Sequence, residues 1–173
     1  IQQCIEPLCG KVYADATQMH QIIVNLCTNA WQAMEHKGGI LRIELRQKPV
    51  SPRIAKLYPR LIEADYICFS VIDSGPGIAI DLKDRIFEPF FTTKDVNKGT
   101  GLGLSVVHGI VHSHDGEIVV SSQKGKGTTF DVYLPLADGQ KQAEEEPAPV
   151  IEGGTEHIMV VDDENTIADM VKR

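Results

Sequence analysis

Apolar residues recur at helical spacing between Asp15 and His36, where Met19, Ile22, Ile23, Leu26, Ala30, Ala33 and Met34 share one side. At roughly 100° per residue they fall within about 60° of one line, the stripe a helix buries. Asp15 is placed to cap that helix. Beside the stripe runs a second line, formed by Gln18, Gln21, Asn25, Asn29 and Gln32. Asparagine is a poor helix former, so two in register weaken the helix without structural gain. Further on, Leu41, Ile43 and Leu45 alternate with Arg42, Glu44 and Arg46, which predicts a strand with one wet face. Residues 66–72 form a nearly continuous apolar run, as in a more buried strand. Residues 102–113 are apolar almost all round and predict a buried helix. Two last strands, 117–122 and 128–134, are joined by Gln-Lys-Gly-Lys-Gly, a hairpin signal. The sum is an α/β sandwich, one sheet covered on one face by helices. The stretch holding Pro49, Pro52 and Pro59 is a long connection to which the pattern assigns no role.

Composition narrows this picture. The 173 residues are 42% hydrophobic and 24% charged, which excludes disorder throughout. No apolar run approaches the roughly 18 residues a bilayer span needs, and no leader opens the chain, so this piece is expected to touch no membrane. It begins at Ile1 without a methionine and reads as a fragment, which leaves an anchor in its parent open. Three regions emerge: a folded body over 1–137, an acidic linker over 138–156 rich in Glu, Gly, Pro and Ala, and a tail over 157–173. The net charge of −7 is concentrated in that linker, which carries −5 and leaves a near-neutral body. A neutral body argues against a nucleic-acid surface. Cys4, Cys9, Cys27 and Cys68 form no C-x-x-C pair, and a reducing, cytoplasmic compartment is expected.

Four constellations carry chemistry. Asn25 and Asn29 stand four apart on one helix face and offer neutral oxygens to a hard cation and NH2 groups to an anion. That suits Mg²⁺ held jointly with a nucleotide's phosphates. Asp73-Ser-Gly75-Pro-Gly77 closes the apolar strand; its glycines permit close approach, and its carboxylate can accept from an exocyclic amine such as adenine N6. Taken alone, such a motif is more often an ordinary turn than a base reader. Phe87-Glu-Pro-Phe-Phe91 precedes Thr92, Thr93 and Lys94, aromatics able to anchor a segment from which a lysine reaches a phosphate. Gly99-Thr-Gly101-Leu-Gly103-Leu104 opens the second helix, where exposed N–H groups and the helix dipole favour phosphate. No strand leads into it and the glycine spacing differs, so neither a Rossmann turn nor a P-loop fits.

With these motifs in this order, the sequence resembles the catalytic ATP-binding domain of sensor histidine kinases, in the superfamily of Hsp90, DNA gyrase B and MutL. The resembling residues are the N box (Gln21 to Ala30), the G1 box (Asp73 to Ile78), the F box (Phe87 to Phe91), the G2 box (Gly99 to Leu104) and a closing Gly125-Lys-Gly-Thr-Thr-Phe130. The resemblance covers about residues 10–136. It implies a Bergerat-type fold with a mixed, mostly antiparallel sheet. It further implies ATP and Mg²⁺, with Asn25 as metal ligand and Asn29 at a phosphate or the ribose. Asp73 would read adenine, through a water shared with Thr128. Gly75, Gly77 and Ile78 would border the nucleotide, and residues Thr92 to Thr100, including Thr93, Lys94 and Gly99, would form a short lid. Gly101, Leu102, Gly103 and Leu104 would present N–H groups to the phosphates. Many family members carry a lysine where Gln32 stands, so the γ-phosphate charge is expected to fall to Lys94, with Lys98 and Arg85 behind it. Gln21 occupies the position of the general base in water-using relatives and cannot take a proton, which favours transfer over hydrolysis.

None of the six histidines stands where an acceptor would. His108 and His112 lie four apart on a helix, but no third ligand converges in the sequence, so the pair reads as structural or solvated. The acceptor is expected on an upstream dimerisation domain, outside this chain, which would leave the fragment a monomer. In the tail, Ile158-Met-Val-Val161 before Asp162, Asp163 and Glu164 resembles the first strand and acidic pocket of a response-regulator receiver. The expected parent is therefore a hybrid kinase whose partners are that dimerisation domain and a receiver. The competing readings are a clamp ATPase of the Hsp90 or MutL kind, disfavoured by Gln21, and a degenerate docking module, disfavoured by intact Asn25 and Asp73.

Overall fold

The computed structural model describes residues 1–93 and 100–137. The elements run β1 (Gln2–Ile5), α1 (Ala16–Ala33), β2 (Leu41–Pro49), α2 (Pro52–Leu57), β3 (Asp65–Asp73), α3 (Gly103–Ser113), β4 (Glu117–Gln123) and β5 (Gly127–Pro135), with a 3₁₀ turn at Ile80–Leu82. They make one five-stranded sheet in the order β1-β2-β3-β5-β4. Only β1 on β2 is parallel; the other pairs are antiparallel, so the sheet is mixed and mostly antiparallel as expected.

Helix α1 begins where the cap predicts, Asp15 accepting from the Gln18 N–H at 2.9 Å. It ends at Ala33, three residues before His36, and its buried line is narrower than the pattern suggests. Ile22, Leu26, Ala30 and Met34 are buried, whereas Ile23 and Ala33 are exposed. The i, i+4 line faces α3 and β3, and a helix with neighbours along one line hides only that line. His114, just past α3, joins the two helices. Its Nε2 accepts from the Asp15 N–H at 3.2 Å while Nδ1 donates to the Ile110 carbonyl at 2.9 Å, which selects the Nδ1–H tautomer.

Strand alternation sends Val71, Ile118, Phe130, Val132 and Leu134 to one face of the sheet, where they pack with α1 and α3 residues. Tyr66, Cys68, Val119 and Tyr133 point the other way and meet Val50, Leu61, Ile54, Ala55 and Tyr58. The connection left without a role thus has one: it carries α2 and covers part of the second face. Its prolines fit that task. Pro49 ends β2, and Pro52 opens α2 behind the Ser51 cap, a first-turn position where the missing N–H costs nothing.

Candidate functional site

Between α1, the end of β3, the β4–β5 turn and the start of α3 lies a cavity of about 1060 Å³. Helix α1 contributes its polar flank, with Asn25, Asn29 and Gln32 all on the wall. This explains the two asparagines that helix propensity disfavours. The Asn25 Nδ2 donates to the Gln21 carbonyl at 2.9 Å, which orients Oδ1 away from its own helix turn. A Cβ at Gly103 would stand 3.0 Å from that Oδ1 and 3.8 Å from Asn29 Nδ2. The first residue of α3 therefore sits directly against both amides.

Asp73 closes β3 opposite Thr128 of β5, and both are buried. Its Oδ1 accepts from the Gly75 N–H at 2.8 Å. Burial pushes the Asp73 carboxyl above the usual carboxylate range, and the backbone N–H groups of Gly75 and Thr128 hold it partly down. At Gly127 φ is +92°, and a Cβ there would come within 1.9 Å of the Asp73 carbonyl oxygen, so only glycine fits. The loop after β3 is tied down by Ser122, which the motif reading missed. Its hydroxyl accepts from the Ile78 N–H at 2.7 Å, donates to the Gly127 carbonyl at 2.9 Å and lies 3.0 Å from Thr128 Oγ1. Ser122 and Thr128 are register partners, so the hairpin signal, carried through to its pairing, would have brought them together.

Of the residues singled out in the sequence, Asn25, Asn29, Asp73, Gly77, Ile78, Thr93, Thr100, Gly101, Gly103, Leu104 and Thr128 all reach the wall. Gly75 acts from behind, through its N–H on Asp73. Leu102 is exposed, its N–H donating to Thr100 Oγ1 at 3.4 Å. Lys94, Lys98 and Gly99, like the linker and tail from residue 138 onward, lie outside the described residues. Arg85 is turned aside, 3.4 Å from Glu88 and 4.6 Å over the Phe91 ring. Lys124, in the β4–β5 turn, is the basic residue on the wall among the described residues. Phe90 and Gly101 both adopt positive φ, and the Phe90 N–H donates to the Gly101 carbonyl at 3.0 Å. That bond ties Phe90 to Gly101, which lines the cavity.

Residues 14–138 match the family described as histidine kinase-, DNA gyrase B-, and HSP90-like ATPase, and the chain belongs to it. Sensor kinase CckA of Brucella abortus (strain 2308) is 42% identical over 165 residues, covering 90% of this chain and 17% of that protein. The catalytic domain of histidine kinase ThkA aligns with a TM-score of 0.55 at 31% identity, over 78% of either chain. Full-length ShkA in complex with AMPPNP gives a TM-score of 0.58 at 27% identity, over 79% of this chain and 25% of ShkA. This chain thus spans about a sixth of the length of its curated relative CckA. Among the described residues, no helix is long and apolar enough to cross a membrane.

Proposed function

We propose that this cavity binds Mg·ATP and that the chain is the catalytic domain of a sensor histidine kinase. The observation that carries this is the meeting of two side-chain amides, one buried carboxylate and a helix start on a single nucleotide-sized space. Asp73 accepts a hydrogen bond from adenine N6, with the Thr128 hydroxyl beside it; guanine would set O6 against the same acceptor. The Asn25 oxygen suits a hard cation, since its NH2 is already spent on the Gln21 carbonyl. Mg²⁺ bound there would neutralise phosphate charge. Asn29 and the N–H groups opening α3 hold the phosphates, supported by the helix dipole. Lys94 remains the proposed partner of the γ-phosphate, and Lys124 adds charge from the β4–β5 turn. An imidazole nitrogen of a histidine, on a dimerisation domain outside this chain, attacks the γ-phosphorus; the bond to the β–γ bridging oxygen breaks and ADP departs. Gln21 cannot deprotonate a water, which leaves the imidazole as acceptor.

The acidic linker over 138–156 and the receiver-like tail over 157–173 extend the proposal to a hybrid kinase in the cytoplasm. In support, a match to CckA that covers 90% of the chain must run past residue 138. The test is a calorimetric titration of the chain with Mg·ATP and Mg·GTP, then addition of a separate histidine-bearing helical domain. ATP binding at least about tenfold tighter than GTP, followed by phosphorylation of the added histidine, is expected. Equal affinity for both, or steady hydrolysis without any acceptor histidine, would overturn it.

A further inference from the structure

We infer that His108, His112 and Glu117 form a site for a divalent transition-metal ion of the zinc class. The sequence brings no third ligand to the two histidines, but the fold does. His108 and His112 stand one turn apart on α3, their ring centroids 3.9 Å from each other. Glu117 opens β4 immediately after the turn that follows α3, so its carboxylate returns to the same helix face. Its Oε1 lies 3.1 Å from His112 Nε2 and also accepts from the Ile118 N–H at 3.0 Å, which fixes its direction.

One ligand atom from each of the three residues lies within 4.8 Å of the others. Zinc bonds of about 2.0–2.2 Å place tetrahedral donors roughly 3.4 Å apart, so a small ring rotation closes the set. Two imidazoles and one carboxylate suit a borderline ion better than Mg²⁺, which prefers oxygen alone. They also leave a fourth position open. None of the three lines the nucleotide cavity, so this site is separate from the one above.

The surroundings bear on the ion from several elements. Phe87 packs against His108 at 5.0 Å between ring centroids and restrains the ring. Arg60 donates to the His112 carbonyl at 3.3 Å and opposes any cation, while the Glu117 carboxylate offsets it. Burial, with the charges of Glu117 and Asp84 adding to it, pushes the Tyr58 phenol up.

The test is titration of the 173-residue chain with Zn²⁺, and with Co²⁺ as a spectroscopic stand-in, in the absence of nucleotide. One equivalent should bind, and Co²⁺ should show the visible d–d absorption of a four-coordinate site without a near-ultraviolet thiolate band. H112Q and E117Q should each weaken Zn²⁺ binding by about 100-fold or more, beyond the range of outer-shell changes, while still binding ATP. Should a variant fail to fold, NMR of the imidazole nitrogens in the unaltered chain must show His108 and His112 shifting together on Zn²⁺ addition. Absence of stoichiometric binding, a thiolate band from the free cysteines, unchanged affinity in both folded variants, or His108 and His112 resonances that stay put would each overturn the inference.

Discussion

Two aspartates on neighbouring strands of one sheet have opposite fates. Asp131 on β5 faces the side covered by α2, where Ser70 donates to it, the Cys68 thiol lies 3.7 Å away and Lys48 Nζ is also 3.7 Å distant. Burial works against the charge on Lys48, yet Cys68, Asp131 and Tyr133 together hold its ammonium above the usual lysine range. Asp73 on β3 faces the α1 and α3 side and, among the described residues, receives backbone N–H groups from Gly75 and Thr128. One carboxylate is met by partner side chains and holds the sheet together. The other keeps acceptor capacity directed into a cavity. A buried charge with unused capacity is costly, and a fold retains it where a ligand completes it.

That contrast can be broken by exchanging which property each substitution affects. D73N should lower ATP affinity by about 10–100-fold, the range of a lost hydrogen bond to a charged acceptor, while GTP binding changes little. Calorimetry with both nucleotides checks this, and an equal loss for both would dissolve the distinction. D131A should do the reverse, costing ~1–2 kcal/mol of stability because Ser70 loses its partner, with ATP affinity unchanged; denaturant unfolding measures it. N25A should weaken nucleotide binding about tenfold with Mg²⁺ present and little in chelator, since the oxygen it removes serves the metal. The smallest effect concerns pH. Because the folded Asp73 carboxyl titrates above its unfolded value, the stability it contributes is full below the unfolded carboxylate range and is lost as pH rises through the raised value. Unfolding without nucleotide should therefore find wild type gaining on D73N as pH falls from neutral into the acid range. Parallel curves would mean that Asp73 is not strained when empty.

The same logic separates what periodicity exposes from what it hides. The polar flank of α1 was conspicuous because two asparagines break a propensity rule, and the cavity supplies their reason. Ile23 belongs to the apolar stripe yet is exposed, because a stripe in the sequence records amphipathicity, whereas burial needs a neighbour along that line. The 49–64 connection carried no readable period, since a six-residue helix is shorter than two turns and its packing partners lie on other strands. Ser122 escaped notice because one hydroxyl in a strand has no signature until the register of the hairpin is drawn.

The linear order of residues was enough to determine α1, α3, the strands β2 to β5 and the segments that border the cavity, but not β1 or α2. Those depend on local period, capping and glycine-rich turns, all of which are short-range properties of the chain. Only the tertiary structure decided that Glu117 turns back onto His108 and His112, that Lys124 rather than Arg85 reaches the wall, and that α2 shields the second face. These depend on how strands pair and helices dock, and contacts between distant residues leave no regular interval in the sequence.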